Sequence, residues 1–272
     1  MIQHLSHAPV EVENTKTFLF DRIIFGPVKS RRLGLSLGIN LLPVDSKLCN
    51  FNCIYCECGW TDLRNAPKTI FQPGEVVLKK LENAFIRLKK EDVIPDTITF
   101  AGNGEPTMHP EFLEIIKGTI LLRNSFFAKA KIAVLSNALM LNNSSVVEAL
   151  ELADLRILKL DAGTEDLFQK INQPVARRSL RWIVDKLNIF KGNLIIQTIF
   201  LKGEYQGMSV DNTTDEAINN WIDLIREIHP KTVMLYSLDR ATPAKKLERV
   251  PVSRLFEIAK HIERIGIEAI VR

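Results

Sequence analysis

Short apolar runs alternate with helical stretches along most of the chain. Residues 33–41 alternate apolar and polar side chains with a period of two, which predicts a strand with one apolar face. Short runs rich in Val, Ile, Leu and Phe predict six further strands, at residues 97–101, 131–135, 156–160, 194–200, 232–236 and 267–271.

Stripes of apolar residues at helical spacing lie between these strands, over residues 77–88, 218–228 and 255–265. Thr213 with Glu216, and Ser145 with Glu148, stand at the spacing of a capping box, which predicts that two helices begin there. Gly266 predicts the end of the last helix, because glycine readily takes the left-handed backbone that follows a helix.

The repeated order of strand, helix and strand predicts a mainly parallel sheet with helices outside it. Periodicity alone allows two versions of this α/β fold, a sheet that curves toward a barrel and an open, doubly wound sheet. In both, ligands bind at the carboxyl ends of the strands. Polar residues that directly follow the predicted strands are therefore candidates for a functional site.

Composition and charge set broad limits. Hydrophobic residues make up 46% of the 272-residue chain and charged residues 25%, which is typical of a globular protein with a substantial core. The formal net charge of +4 permits an anionic partner such as RNA without requiring one. We find no stretch long and apolar enough to span a membrane and no secretory signal, and therefore expect a cytoplasmic protein.

The four cysteines all lie within ten residues, at positions 49, 53, 56 and 58, just after the first predicted strand. A disulfide-stabilised protein would spread its cysteines along the chain to close loops. Thiolates gathered in one short loop are instead typical of an iron–sulfur cluster or a structural zinc ion. One zinc ion held by all four thiols remains an alternative at this point.

The spacing of Cys49, Cys53 and Cys56, with Tyr55 before the last cysteine, resembles the motif of the radical S-adenosylmethionine (SAM) enzymes. The resemblance implies a partial (β/α)6 TIM-like barrel, and a [4Fe–4S] cluster held by these three catalytic cysteines. One iron then stays open for the amino and carboxylate groups of SAM. It also implies that Tyr55 contacts the adenine side of SAM, and that Cys58 is not a ligand.

The segment Gly102-Asn103-Gly104-Glu105 follows the second predicted strand and resembles the glycine-rich motif of the same family. The resemblance implies that this backbone, together with the Glu105 carboxylate, receives the methionyl ammonium group of SAM. A plain turn is the alternative, and a Gly-x-Gly pattern by itself would be weak support.

Further contacts to SAM are expected at the ends of the next strands. By resemblance, Ser136 and Asn137 lie near the ribose, and Lys159 and Asp161 contact the methionyl carboxylate or the ribose. Lys159 and Asp161 share one face of a strand, so a structural ion pair inside the barrel is the alternative. Gln197 interrupts an apolar run and is expected to face the same cavity.

Residues 25–34, the Cys56-Glu57-Cys58-Gly59 sequence and residues 237–243 resemble a branch of the family related to the wyosine-type tRNA base synthases. The resemblance implies a reductant such as flavodoxin or ferredoxin, and a 5′-deoxyadenosyl radical that abstracts hydrogen from a substrate. An RNA nucleoside or a nucleotide-like molecule is the leading substrate hypothesis. The alternatives are radical modification or activation of a protein or peptide partner, and a non-enzymatic metal-binding interaction module.

We expect residues 1–272 to form one radical SAM domain, with residues 1–32 as an N-terminal extension and residues 239–272 closing the barrel. The substrate would then dock at the barrel mouth. Three basic groups are candidates for contacts to RNA phosphates, although ordinary solvated surface is the favoured interpretation of each. These groups are Lys29, Arg31 and Arg32; Arg177, Arg178 and Arg181; and Lys245, Lys246 and Arg249.

Overall fold

The computed structural model describes residues 18–61, 71–176 and 178–272. The strands are β1 Ile24–Ser30, β2 Gly34–Ile39, β3 Thr97–Phe100, β4 Lys131–Ser136, β5 Leu155–Lys159, β6 Ile195–Tyr205, β7 Met208–Asp211, β8 Thr232–Ser237, β9 Lys246–Arg249 and β10 Glu268–Val271. The helices are α1 Gly74–Lys90, α2 Phe112–Phe126, α3 Ser144–Leu152, α4 Glu165–Asn172, α5 Leu180–Leu187, α6 Asp215–Ile228 and α7 Val252–Arg264.

Seven strands form a parallel sheet in the order β2-β3-β4-β5-β6-β8-β10, and all seven were predicted from the apolar runs. Strand β1 pairs antiparallel with β2 at one edge, and β7 and β9 pair antiparallel with the second half of β6. These three strands were not predicted, because they contain a single buried residue, Val210, and carry no regular apolar pattern.

The helices cover one face of the sheet, where strand residues such as Ile132 and Val134 join the main core. The opposite face is concave and holds a separate small cluster of Ala133, Ile157 and Met234. The alternation of side chains along each strand produces these two layers. The architecture is the partial α/β barrel that the sequence predicted.

The β1–β2 hairpin turn reaches across the open side of the sheet to the end of β8. Arg31 in this turn forms an ion pair with Asp239, and the Arg32 guanidinium lies 4.6 Å from the centroid of the Tyr236 ring. The turn joins β1 and β2 at one edge, whereas β8 lies next to the opposite edge strand. The sheet therefore curves far enough for its two sides to touch.

Both predicted capping boxes were wrong. The cap of α6 is Thr214, whose hydroxyl accepts from the Ala217 N–H, and the cap of α3 is Asn143, which accepts from the Ser145 N–H. The Thr213 side chain does not cap the helix; its hydroxyl instead donates to the Asp211 carboxylate (2.6 Å). The end of α7 was predicted correctly: the helix stops at Arg264 and the following glycine at 266 has a φ of +79°.

The C-terminal segment, residues 239–272, contributes β9, α7 and the edge strand β10. Residues 1–17 of the predicted N-terminal extension lie outside the described residues. Within the described part of the chain, no helix has both the length and the apolar character needed to cross a membrane. The division into domains and the cytoplasmic location stay predictions.

Candidate active site

The cysteine loop follows β2 and is fixed on two sides by backbone hydrogen bonds. The Leu48 N–H donates to the Asn103 carbonyl (2.9 Å), and the Leu48 carbonyl accepts from the Glu105 N–H (3.1 Å). On the other side, the Ile54 N–H donates to the carbonyl of Ile171 near the end of α4 (3.0 Å). The loop is thus held between the glycine-rich segment after β3 and the helix that follows β5.

A cavity of about 430 Å³ opens at the carboxyl ends of the parallel strands, and all four cysteines border it as free thiols. Side-chain amides point at two of the sulfurs: Asn137 Nδ2 lies 3.6 Å from Cys49 Sγ, and Asn172 Nδ2 lies 3.6 Å from Cys53 Sγ. The cavity is therefore bordered by thiols, two of which have N–H donors directed at their sulfurs.

Cys56 and Cys58 differ from each other in their environment. The Cys58 Sγ lies within hydrogen-bonding distance of the Gly102 carbonyl (3.6 Å). A hydrogen bond from the Cys58 thiol, helped by the nearby Lys47 ammonium, lowers the pKa of Cys56 to about 5. The same hydrogen bond, together with burial, raises the pKa of Cys58 well above its usual range. Burial raises the pKa of Cys49 to about 12.

Lys47 is a buried cation beside the thiols that was not identified from the sequence. Its ammonium donates to the Gly59 carbonyl (2.8 Å) and borders the cavity. Burial works to lower the pKa of Lys47, but the negative charges of Cys56, Cys49 and Cys53 outweigh that effect and raise it. The positive charge offsets the charge of the thiolates. A lysine two residues before the first cysteine was the available signal.

The donor set fits an iron–sulfur cluster. Such clusters are held by cysteine thiolates, and hydrogen bonds to their sulfurs adjust the reduction potential. Three free thiols, two side-chain amides and the Lys47 ammonium provide these elements around one cavity. Among the described residues, no three His, Cys, Asp or Glu side chains are grouped closely enough to surround a single metal ion.

The Glu105 carboxylate borders the same cavity and is almost completely buried. Its Oε1 accepts from the Thr107 N–H (3.1 Å), and its Oε2 accepts from the Asn137 N–H (2.6 Å). Burial raises the pKa of Glu105, and these hydrogen bonds act in the opposite direction by stabilising the charged form. Gly102 and Gly104 border the cavity next to Glu105.

Asn103, in the middle of that motif, is fully buried and its side chain points elsewhere. Its Nδ2 donates to the carbonyls of Phe20 (2.9 Å) and Pro43 (2.8 Å), and its Oδ1 accepts from the Phe20 N–H (2.8 Å). The geometry gives the Asn103 side chain a positioning role for the glycine-rich segment.

Asp161 is the centre of a buried network below the cavity floor, and its side chain has no exposed surface. Its Oδ2 accepts from the Tyr55 hydroxyl (2.5 Å) and from Asn172 Nδ2 (2.7 Å), and its Oδ1 accepts from the Ile199 N–H (3.0 Å). Because Asn172 also contacts a cysteine sulfur, Asp161 connects the cysteine loop, β6 and Tyr55. Asn172 was not identified from the sequence.

Lys159 forms the other half of the predicted ion pair, with its Nζ 3.6 Å from Asp161 Oδ2. Burial works to lower the pKa of Lys159, but Asp161 outweighs it and raises the pKa well above its usual range. Unlike Asp161, Lys159 borders the cavity, where its Nζ lies 5.2 Å from the ring centroid of Tyr55. Of the remaining predicted residues, Tyr55, Ser136, Asn137 and Gln197 border the cavity as well.

We expect Asp161→Asn to lower the free energy of unfolding by about 3–5 kcal/mol, because the substitution leaves a buried ammonium without its counter-charge. Urea denaturation of the protein measures this loss. Asp166→Asn is the matched control, since Asp166 pairs with Lys170 at an exposed site where its side chain is 69% accessible. The control should cost at most about 1 kcal/mol. Equal, small losses in both variants would contradict the assignment of Asp161 as the network centre.

Comparisons with known proteins agree with this geometry. The family model described as the radical SAM superfamily matches residues 44–225. A UPF0026 protein from Synechocystis sp. is 34% identical over 230 residues, which cover 83% of this chain and 78% of that protein. A protein described as GTPase Obg from Brachyspira hyodysenteriae is 28% identical over 253 residues, which cover 92% of this chain but only 35% of that protein.

A solved structure of TYW1 with a lysine–pyruvate adduct bound has a similar fold, with a TM-score of 0.62 at 19% identity. The similarity covers 84% of this chain and 73% of that chain. It supports the partial barrel that the strand pattern and the cysteine motif predicted. Radical SAM proteins are enzymes that use a [4Fe–4S] cluster and SAM, and the family match includes the cysteine loop and the glycine-rich segment. This chain belongs to the radical SAM superfamily.

Proposed function

We propose that the cavity holds a [4Fe–4S] cluster on Cys49, Cys53 and Cys56 and binds SAM beside it. The observation that carries the proposal is the meeting of three free thiols and the Glu105 carboxylate around one cavity at the carboxyl ends of the parallel strands. When bound, the cluster and SAM supply a 5′-deoxyadenosyl radical that abstracts hydrogen from the substrate. The protein must hold these groups and exclude water.

Glu105 is well suited to accept the methionyl ammonium group of SAM. The N–H groups of Thr107 and Asn137 hold the carboxylate in one orientation at the cavity wall. A buried carboxylate fixed in this way gains more from a cation than a solvated one does, because the local dielectric constant is low. The glycines at 102 and 104 let the ligand approach the backbone closely.

Lys159 is the member of the buried ion pair that faces the cavity, so we assign to it the contact with the methionyl carboxylate or the ribose. Asp161 holds Lys159 and Tyr55 in place from below. Tyr55 then presents its ring on the adenine side of SAM. Ser136, Asn137 and Gln197 supply polar groups along the same wall.

We further propose that the substrate is an RNA nucleoside or a nucleotide-like molecule that enters at the barrel mouth. Two of the segments that resemble the wyosine-related branch, residues 25–34 and 237–243, meet there and are joined by the ion pair between Arg31 and Asp239. Both segments also border the cavity, through Arg31, Arg32, Asp239 and Arg240. The residues that carry the branch resemblance therefore surround the place where a substrate would meet SAM.

The two other basic groups give less support to extended RNA contacts. Arg181 pairs with Asp185 and Glu227, and Lys246 pairs with Glu204 (2.9 Å). Arg177 lies outside the described residues. Because neighbouring carboxylates already offset these charges, we favour recognition of a single nucleotide unit in the cavity over binding along an RNA backbone.

The test is anaerobic reconstitution with iron and sulfide, followed by reduction in the presence of SAM and measurement of 5′-deoxyadenosine. We expect iron and acid-labile sulfide to bind, and 5′-deoxyadenosine to form with dithionite or with reduced flavodoxin or ferredoxin. Adding nucleotides, tRNA or peptides in parallel shows which class of molecule stimulates the cleavage. Protein that binds zinc and no sulfide would favour a metal-binding interaction module, and stimulation only by a peptide would contradict the proposed substrate.

A further inference from the structure

We propose that Arg32 forms a subsite for an anionic group of the substrate, a phosphate or a carboxylate, at the barrel mouth. The inference deepens the proposed function, because the subsite belongs to the substrate region of the same cavity. From the sequence alone, solvated surface is the favoured interpretation of the basic group that contains Arg32. The structure instead directs this side chain into the cavity, where it borders the space next to the cysteines.

The Arg32 guanidinium is oriented but has no acidic partner among the described residues. Its plane is supported by the Tyr236 ring, with 4.6 Å between the guanidinium carbon and the ring centroid. Its Nη1 atom is shielded from solvent and has no hydrogen-bond partner in the described part of the chain. An unpaired buried donor on a charged group is destabilising, because it has lost its hydrogen bonds to water without gaining others. A bound anion would remove this destabilisation.

Two other arginines that border the cavity are already paired, Arg31 with Asp239 and Arg240 with Glu57 (2.9 Å). A further arginine of the lining, Arg272, donates from its Nη1 to the Val271 carbonyl (3.5 Å). Arg32 thus contributes positive charge that no carboxylate of the described rim offsets. A guanidinium supported by an aromatic ring keeps its remaining N–H groups available for a phosphate or carboxylate.

The position of Arg32 separates this subsite from the proposed SAM contacts. Tyr236 lies between the two regions: its ring supports Arg32, while its hydroxyl accepts from Lys159 Nζ (3.4 Å). Lys159 lies on the side of Tyr236 where SAM is proposed to bind. Arg32 lies on the other side, next to the hairpin turn. The anionic group of the substrate is therefore held at Arg32, on the far side of Tyr236 from Lys159.

Isothermal titration of inorganic phosphate, and separately of acetate, into the reconstituted enzyme with saturating SAM tests the proposal. We expect phosphate or acetate to bind to the wild-type enzyme, and Arg32→Gln to weaken that binding at least tenfold. Arg32→Lys should restore part of the affinity, because it restores the charge without the planar fork. The anion that binds with the higher affinity shows whether the subsite prefers a phosphate or a carboxylate group.

Arg240→Gln is the matched control, because it removes one positive charge from the same rim at a residue that is already paired. We expect it to change anion affinity less than threefold. Equal losses in Arg32→Gln and Arg240→Gln, or weaker SAM binding with unchanged anion binding in Arg32→Gln, would overturn the assignment. Anion binding does not depend on SAM cleavage. A wild-type enzyme that binds phosphate but forms no 5′-deoxyadenosine would therefore contradict the proposed function and leave the subsite intact.

Discussion

Replacing Cys53 by alanine is expected to abolish 5′-deoxyadenosine formation, whereas replacing Cys58 should leave most of it. Cys53 is buried, and its sulfur receives the Asn172 amide that connects it to Asp161. Cys58 is placed differently, because its sulfur contacts the Gly102 carbonyl. We expect Cys58 to stay outside the ligand set, because a fourth thiolate would close the iron that SAM must reach.

The two variants are compared under identical anaerobic reconstitution, with iron, acid-labile sulfide and 5′-deoxyadenosine measured for each. Cys53→Ala should lose at least 100-fold in product and most of its bound iron. Cys58→Ala should keep iron and sulfide close to the wild-type content. Greater damage from Cys58→Ala than from Cys53→Ala would show that Cys58 is a ligand and that one of the other three thiols is not.

Buried strands could be predicted from the sequence because burial leaves a pattern in it. Strand β3 is buried along its whole length, and the central strands β4 and β5 are largely so. Strands β1, β7 and β9 are held by antiparallel pairing at exposed positions, where polar residues are tolerated. Pairing of this kind depends on where the partner strand lies, which local periodicity does not record.

The motif residues that border the cavity could be identified from the sequence. Which of them face the cavity and which are enclosed beneath it could not. Lys159 and Asp161 were expected to share one face, and they form the ion pair that was the structural alternative. Only the structure shows that Lys159 borders the cavity while Asp161 is enclosed beneath it. Besides Tyr55, the groups that enclose Asp161 include the Asn172 amide and the Ile199 N–H, which lie 11 and 38 residues away along the chain and belong to no motif.

The same limit explains why Lys47 and Arg32 were not assigned to the site. A lone lysine before a cysteine, or two arginines in a turn, is most often a solvated surface feature. Lys47 is recognised as part of the site because it is buried against Gly59 and the thiols. Arg32 is recognised as part of the site because the sheet curves. The curvature brings the hairpin at one edge of the sheet against Tyr236, which lies near the opposite edge. The folding of the cysteine loop decides the first case, and long-range geometry decides the second.

Gly104→Ala is expected to lower the free energy of unfolding by about 2–6 kcal/mol and to prevent cluster loading. Gly104 has a φ of +139°, a conformation that costs other residues about 1–3 kcal/mol. An added Cβ would also lie 1.8 Å from the Leu48 carbonyl oxygen, and relieving such an overlap costs about 1–3 kcal/mol more. Leu48 directly precedes Cys49, so the peptide that must move carries the first proposed ligand.

Gly207→Ala is the matched control, because Gly207 has a φ of +77° but nothing lies within 4 Å of its added Cβ. It should lose only the conformational part, about 1–3 kcal/mol, and should bind iron as the wild-type protein does. Urea denaturation and iron content are measured for both variants. If Gly104→Ala matched Gly207→Ala in both, the contact between Leu48 and Gly104 would not be what sets the cysteine loop. If Gly104→Ala stayed folded but failed to bind iron, that contact would link the glycine-rich segment directly to the cluster site.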